Sequence, residues 1–486
     1  MRLPRLLLPF GFAAAAFAAV LWITRPPGPG LDPDAMSYLG AAESFARTGT
    51  FRIPEGTWDD ADGTEPLGHF PPGFSLALAG PVALGADPIQ TARVVEAVSA
   101  AAAVGLATWL AGLTAGTLAA VLAGALAFAS PGFALDHLRV LSEPLFLALL
   151  VATLALMLRM RERPFIYGSA AALAGLVRYA GVALGAAAAV WALAGPGGRR
   201  RRIARAVLAF APTALVQGAW ALRARVESAD VRTVGLTGGF GATFREGWTT
   251  LTTWLAPGIE APALRTVGAL AVVAATCWLL WSAARKERGF FLALTIGAAS
   301  YAGLVVVSRL FADASIPFDE RLLSPLMAFG SLAVAAAAGT VWRDAGRMVR
   351  WIGGGIAIVW LAASAWQTAI TVREAREGGW GYAGVEWRES ELVRWLRSDG
   401  AAHRLFTNSP ADVWFATGRR SWLLPTSLDA VTMRAFGDRL RSTHGAVVSF
   451  ASPEETESDP AGLASRLGLI VAGRFAGATV WVPAPE

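Results

Sequence analysis

Ionisable side chains are scarce in this chain, and five short segments at the ends of its apolar runs carry the candidates for chemistry. Leu31-Asp32-Pro33-Asp34-Ala35-Met36-Ser37-Tyr38 carries two carboxylates, and His69-Phe70-Pro71-Pro72-Gly73-Phe74 an imidazole. Asp136-His137-Leu138-Arg139-Val140-Leu141-Ser142-Glu143-Pro144 holds four ionisable groups. Gly175-Leu176-Val177-Arg178-Tyr179 and Phe318-Asp319-Glu320-Arg321-Leu322-Leu323-Ser324-Pro325 each add an arginine. A carboxylate held at a membrane surface can take a proton from an acceptor hydroxyl. A guanidinium there is a fork for a membrane-embedded phosphate.

Each group also has a structural reading. Asp32 before Pro33 has the form of a helix N-cap with proline at the first helical position, and Asp34 complements the helix dipole. Tyr38, one turn on, shares the helix face of Asp34. The prolines after His69 stiffen entry to a short helix. Ser142 and Glu143 before Pro144 can be ordinary helix-start chemistry, and Arg178 and Arg321 can snorkel or pair, the latter with Asp319 and Glu320 beside it. Asp136, His137 and Glu143 could join Asp34 around a divalent ion, but they lack the ligand spacing of a structural zinc or calcium site. No cofactor is otherwise implied.

The elements that position these residues must lie in a bilayer. Over 486 residues the chain is 55% hydrophobic and only 16% charged, with a mean hydropathy of +0.48. Soluble globular, disordered and coiled-coil proteins do not combine such length with so little charge. Cys277 is the only cysteine, so no disulfide can form within the chain. The net charge of +6 comes from arginines placed mostly between apolar runs, which reads as membrane topology and not as a nucleic-acid surface.

A crossing of about 30 Å needs roughly 17 to 25 apolar residues. Leu6 to Ile23 is the first, flanked by Arg2 and Arg5, and is expected to be an uncleaved anchor with a cytoplasmic N-terminus. Further spans are predicted over 90–112, 115–131, 142–158, 165–178, 179–195, 203–221, 262–283, 289–308, 321–340 and 351–370. Threading them alternately puts Arg159 to Arg163, Arg199 to Arg205, Arg285 to Arg288 and Arg343 to Arg350 on the cytoplasmic side. All five segments of candidate residues then face outward. The stretch 72–86, broken by Gly80-Pro81, reads as a juxtamembrane or re-entrant helix.

After Ile370 charge and turns return. A helix is expected over Glu386 to Arg397 with Val385, Leu392, Val393 and Leu396 on its apolar face, and strands over Val447 to Phe450, Leu469 to Ala472 and Ala478 to Val482. Trp380, Trp387, Trp395 and Trp414 with Tyr382 could line a glycan surface or pack a core. The fold class is therefore an α-helical polytopic membrane protein of about eleven transmembrane helices with a small extracytoplasmic α/β domain. Residues 1–370 form the membrane part, with 25–72 its first outer loop, and 371–486 the outer domain.

In order and placement, five motifs resemble the GT-C superfamily of polytopic glycosyltransferases. They are Asp34-Ala-Met-Ser-Tyr38 followed by Ala41, Ala42 and Gly49, Phe70-Pro71-Pro72-Gly73-Phe74, Leu141-Ser142-Glu143-Pro144-Leu145-Phe146, Gly175-Leu-Val-Arg178-Tyr179 and Glu320-Arg321-Leu-Leu-Ser-Pro325. The likeness is to the bacterial branch similar to dolichyl-phosphate-mannose protein mannosyltransferases and the aminoarabinose transferases of lipid A. It implies transfer of a sugar, with inversion, from a polyisoprenyl-phosphate carrier to a glycan, lipid or protein acceptor outside the bacterial plasma membrane. Asp34 matches the family's catalytic acid position in the first outer loop. Many relatives have two adjacent acids there, whereas here Ala35 follows and Asp32 precedes. The resemblance gives Asp32, Tyr38, His69 and Glu143 supporting roles, and Arg178, Arg321, Arg139 and Tyr179 the donor phosphate.

Two other classes are weighed against this. A lipid-linked glycan flippase would carry midplane charges or inverted repeats, and neither is visible. A membrane acyltransferase needs a nucleophile or histidine inside the bundle, yet His69, His137, His403 and His444 all thread to outer segments. An inactive relative that binds a partner through its outer domain is a third possibility.

Overall fold

The computed structural model describes residues 4–227, 239–311, 317–451 and 459–485. Arg2, which flanks the first expected span, lies outside the described residues. Each expected span coincides with a helix: Pro4–Ile23, Pro88–Ala115, Thr117–Ala129, Glu143–Arg159, Pro164–Val177, Gly181–Leu193, Arg199–Glu227, Pro262–Ala284, Arg288–Phe311, Glu320–Asp344 and Arg347–Gly378. Among the described residues six of these are long and apolar enough to cross a membrane. A seventh crossing results if Thr117–Ala129 is joined to Pro131–His137 across a 63° bend. That bend has a local cause. Ser130 accepts a hydrogen bond from the Phe133 amide at 3.2 Å and Pro131 takes the first helical position, so a new helix starts where the old one ends.

Small residues let these helices approach closely. Ala335, Ala336 and Ala337 are fully buried, and a methyl added at Gly339 would lie 2.8 Å from the Ala119 side chain. The long helices Pro262–Ala284 and Arg347–Gly378 instead expose Trp278, Trp281, Trp351, Ile356 and Ile358. Such continuous apolar exposure fits contact with lipid.

The alternation of sides is consistent with the contacts between loops. Glu162 pairs with Arg201 at 3.5 Å and with Arg205, Lys286 pairs with Asp344, and Arg343 reaches the Thr114 carbonyl at 3.5 Å. These five loops are the ones that threading places on one side. On the other, Arg309 binds Glu246 at 2.9 Å and the Thr250 hydroxyl donates to the Phe318 carbonyl. The helix that carries Glu246 and Thr250, Phe240–Leu255, was not anticipated from the sequence. Its apolar residues are too interspersed with Thr, Arg and Glu to register as a span.

The chain divides into two compact units. The first comprises residues 1–25, 70–74 and 92–376, and the second 26–69, 75–91 and 377–486. The first outer loop thus groups with the C-terminal region, and a strand explains why. Arg52–Ile53 (β1) pairs with Glu65–Pro66 (β3), while Glu55–Gly56 (β2) runs parallel to Ser421–Leu423 (β5). With Arg404–Thr407 (β4), Gly445–Phe450 (β6), Ile470–Phe475 (β7) and Ala478–Val482 (β8), β2 completes a six-stranded sheet of order β2-β5-β4-β6-β8-β7. The Asp60 carbonyl accepts from Arg404, Arg439 and Trp422, which fixes the loop to the sheet.

The expected strands near 447, 469 and 478 are present as β6, β7 and β8. The expected helix over 386–397 is instead two, Val385–Arg388 and Glu391–Arg397, because Ser390 caps the second by accepting from the Val393 amide. Leu392, Val393 and Leu396 are buried as expected, but Val385 is exposed. Trp387 and Trp395 pack against the core formed by these leucines, Val448 and Val480, and Asn408 bridges the amide and carbonyl of Phe450.

One carboxyl pair in this unit gives it a pH dependence. Burial, together with the like charge of Glu65 to which it is hydrogen bonded, pushes the Glu55 carboxyl up to about 8. The folded chain therefore holds this proton more tightly than the unfolded chain, whose carboxyl has its ordinary value near 4.5. Stability is full below that value and falls as pH rises from there through about 8. The pair is partly exposed, so a loss on the order of 1–2 kcal/mol is expected. Thermal unfolding in detergent at pH 5 and pH 9 measures it, and Glu65→Gln should shrink the difference. An equal difference in both proteins would show that the pair does not titrate in this way.

Candidate functional site

In the first unit, three of the expected residues meet. Glu143 begins its helix with Pro144 at an N-terminal position and is 2% exposed. Its Oε2 lies 2.6 Å from Arg178 Nη1, and its Oε1 2.9 Å from Arg321 Nε. Ser142 sits at the N-cap but makes no capping bond, and its hydroxyl instead accepts from Arg178 Nη1 at 3.1 Å. Arg321 does not turn to its sequence neighbours. Asp319 is spent as the cap of Glu320–Asp344, accepting from the Leu322 amide at 3.0 Å. The result is one buried carboxylate between two guanidiniums whose side chains are 21% and 24% exposed, so a ligand can reach both.

Backbone geometry sets Arg178. It occupies an extended residue just after Pro164–Val177, and Gly181 opens the next helix three residues on. A methyl at Gly181 would lie 2.2 Å from the Gly175 amide nitrogen, so only glycine fits this turn. Gly73 of the Phe70-Pro71-Pro72-Gly73-Phe74 motif packs against the peptide that leads into Arg178. A methyl there would lie 2.6 Å from the Leu176 carbonyl carbon and oxygen.

Other expected members are nearby but differently engaged. Arg139 donates to the Leu135 carbonyl at 3.4 Å. The Tyr179 hydroxyl accepts from Trp220 at 3.2 Å. His137 is fully buried, its Nδ1 is 2.7 Å from the Phe133 carbonyl and its ring lies 4.0 Å from that of Phe133. Asp136 is fully buried, with Ser324 and the charges of Arg139 and Arg321 near its carboxylate. Both Glu143 oxygens are taken by guanidiniums, and no three His, Cys, Asp or Glu side chains converge among the described residues.

One member of this cluster was missed. Glu96, fully buried in Pro88–Ala115, accepts from the Leu141 amide at 3.0 Å and so holds the segment before Ser142. A lone acid inside an apolar run was a sufficient signal for it.

In the second unit, Asp32 stands at the N-cap of Pro33–Thr48 with Pro33 in the first turn, but its side chain makes no capping bond. Asp34 is in the first turn of that helix, and Tyr38, one turn later, is 1% exposed. Leu31 pairs with Gly381 in an isolated bridge, and Tyr382 donates from its amide to the Leu31 carbonyl at 2.9 Å. The segment at 380–382 thereby fixes the start of the Asp34 helix. His69 is exposed.

Neither a protein-family profile nor a curated protein sequence matches the chain. Solved structures do. ArnT from Cupriavidus metallidurans in its apo state superposes with a TM-score of 0.63 at 13% identity over 98% of each chain. The same protein bound to undecaprenyl phosphate gives 0.59 at 16% identity, again over 98% of each. The Archaeoglobus fulgidus oligosaccharyltransferase in complex with zinc and sulfate gives 0.54 at 15% identity over 90% of this chain and 68% of that one. The protein is an integral membrane protein that shares its fold with ArnT and with the archaeal oligosaccharyltransferase.

Proposed function

We propose that the protein is a glycosyltransferase that moves a sugar from a polyisoprenyl-phosphate donor to an acceptor hydroxyl on the extracytoplasmic face of the bacterial plasma membrane, with inversion. The observation that carries this reading is the pair of guanidiniums gathered on one buried carboxylate at the helix ends of a GT-C fold. Arginines on that side run against the usual placement of cations, and a lipid phosphate is the ligand their forked geometry fits. A structural neighbour binds undecaprenyl phosphate. An apolar pocket among the helices adds support. It is lined by Val104, Leu126, Phe133, Leu147 and Met327 and includes Ser324, one turn beyond Arg321.

The chemistry is a single displacement. Asp34 accepts the hydroxyl proton, the acceptor oxygen forms its bond to the anomeric carbon from the far side, and the bond from that carbon to the phosphate oxygen breaks. The electron pair leaves on the phosphate, where Arg178 and Arg321 meet the added negative charge. A phosphate departs as an anion, so no general acid is needed. Asp32, Tyr38 and His69 are assigned to the acceptor side, and Arg139 and Tyr179 to the donor side.

Mass spectrometry of lipid that copurifies from the native membrane tests the reading. A polyisoprenyl-phosphate sugar that is lost in Arg178→Ala is the expected result and names the donor. Bulk phospholipid alone in both proteins would move the assignment to an inactive relative.

A further inference from the structure

The helix Phe240–Leu255 has 16 residues, too few and too polar for a crossing, since Arg245, Glu246 and five threonines interrupt it. It nevertheless turns large apolar side chains outward. Thr243, Gly247, Thr250 and Trp254 are buried on one face. Phe240, Phe244, Trp248 and Leu251, at steps of four, four and three, share the neighbouring arc. Phe240 and Phe244 are 68% and 72% exposed, and the Phe244 and Trp248 rings stack at 6.3 Å. Arg245, Thr249 and Thr253, all exposed, lie on the remaining polar arc, although Thr252 among them is buried.

An aromatic and aliphatic arc beside an arginine and threonine arc is the pattern of a helix lying in the plane of a bilayer surface. What adjoins it says which surface that is. The span Pro262–Ala284 exposes Leu264, Val267 and Leu270 to lipid, and a methyl at Gly268 in its second turn would lie 3.3 Å from the Ala256 side chain. The short helix therefore ends against the first turns of a span, at the edge of the hydrocarbon, and its apolar arc extends a surface that already meets lipid. Its buried face holds the opposite side of the bundle end. Thr250 donates to the Phe318 carbonyl at 2.6 Å, and a methyl at Gly247 would lie 3.1 Å from the Phe318 ring. Phe318 directly precedes Asp319, the cap of the helix that carries Arg321.

We propose that Phe240–Leu255 is an interfacial helix seated in the lipid leaflet on the side of Arg321. Phe240, Phe244, Trp248 and Leu251 enter the boundary between headgroups and acyl chains, where amphipathic aromatic rings are favoured. Through Thr250 and Gly247 the helix tethers the start of Glu320–Asp344 to that surface. The inference does not use the transferase reading.

Site-directed fluorescence on the full-length chain in phosphatidylethanolamine and phosphatidylglycerol nanodiscs tests the seating. Cys277→Ala removes the only cysteine, and bimane is attached at Phe244→Cys, Leu251→Cys, Arg245→Cys or Thr249→Cys. Nitroxide-bearing lipid is expected to quench the labels at 244 and 251 roughly threefold or more better than those at 245 and 249, with aqueous iodide showing the reverse order. Iodide quenching at all four positions, nitroxide quenching at all four, or neither quencher reaching 244 and 251 overturns the proposal, the last because protein then covers the face. Amide hydrogen exchange tests the tether. Phe244→Asp with Leu251→Asp should speed exchange over 318–324 by about tenfold while that over 174–181 stays at its wild-type rate. Unchanged exchange over 318–324 would overturn the tether, and faster exchange over both segments would show a general loosening instead.

Discussion

Asp34→Asn abolishes sugar transfer, with a loss of about 10²- to 10⁴-fold, the usual contribution of a positioned general base. The amide keeps the shape of the carboxylate but cannot take the acceptor proton. The helix that carries it is not at stake. Its N-cap is Asp32 and its first helical residue is Pro33, and the tie of Leu31 to the 380–382 segment is made by backbone groups. Expression and membrane insertion therefore stay at wild-type levels. Membranes of cells that carry only the variant accumulate the sugar-lipid donor, which mass spectrometry reads directly. Asp32→Asn is the comparison: as an acceptor-side residue that takes no proton, it is expected to lower transfer less than Asp34→Asn does. Undiminished transfer by Asp34→Asn would remove Asp34 as the base and favour an inactive or differently catalysed relative.

The membrane part was largely legible because its signals are local. A run of apolar residues fixes a span wherever it occurs, and arginine clusters between runs fix the alternation. Contacts such as Glu162 with Arg201 then join loops that threading had already put on one side. The outer unit was less legible. β2 is two residues long and pairs with β5 more than 360 positions away, so no window of sequence contains its partner. β4 and β5 are four and three residues long, too short for alternation to register. Ser390 was visible as a cap only in retrospect, since the apolar pattern of Leu392, Val393 and Leu396 runs on smoothly from Val385.

At the site, residue types were legible and partners were not. Glu143, Arg178 and Arg321 each stood out as an ionisable group at a membrane edge, but Asp319 and Glu320 were the nearer partners for Arg321 in sequence. Folding reverses that order, because Asp319 is consumed by the helix cap and Glu143, 178 residues away, is the carboxylate that Arg321 meets. Asp136, His137 and Glu143 are close in sequence, yet Glu143 spends both oxygens on arginines and His137 turns to its own helix. Proximity along a chain proposes ligands, and competition for the same lone pairs decides among them.

Arg178→Ala carries the other large effect, and it acts twice. Transfer falls by about 10²- to 10³-fold, as when one donor to a developing oxyanion is removed. Stability falls by about 1.5–3 kcal/mol, because the buried Glu143 loses its 2.6 Å partner and keeps only Arg321 at 2.9 Å. The two losses have different causes and separate in a double-mutant cycle. Arg178→Ala with Glu143→Gln removes the half-paired carboxylate, so thermal unfolding in detergent returns part of the way to wild type, whereas donor turnover stays low. Arg178→Lys keeps the charge but not the fork and lies between on both axes. If the double variant recovered turnover together with stability, Arg178 would be a scaffold residue and the phosphate would have to be held elsewhere. Recovery of stability alone, with Glu143→Gln by itself turning over faster than the double variant, assigns the guanidinium to the departing phosphate, because the loss then follows Arg178 and not Glu143.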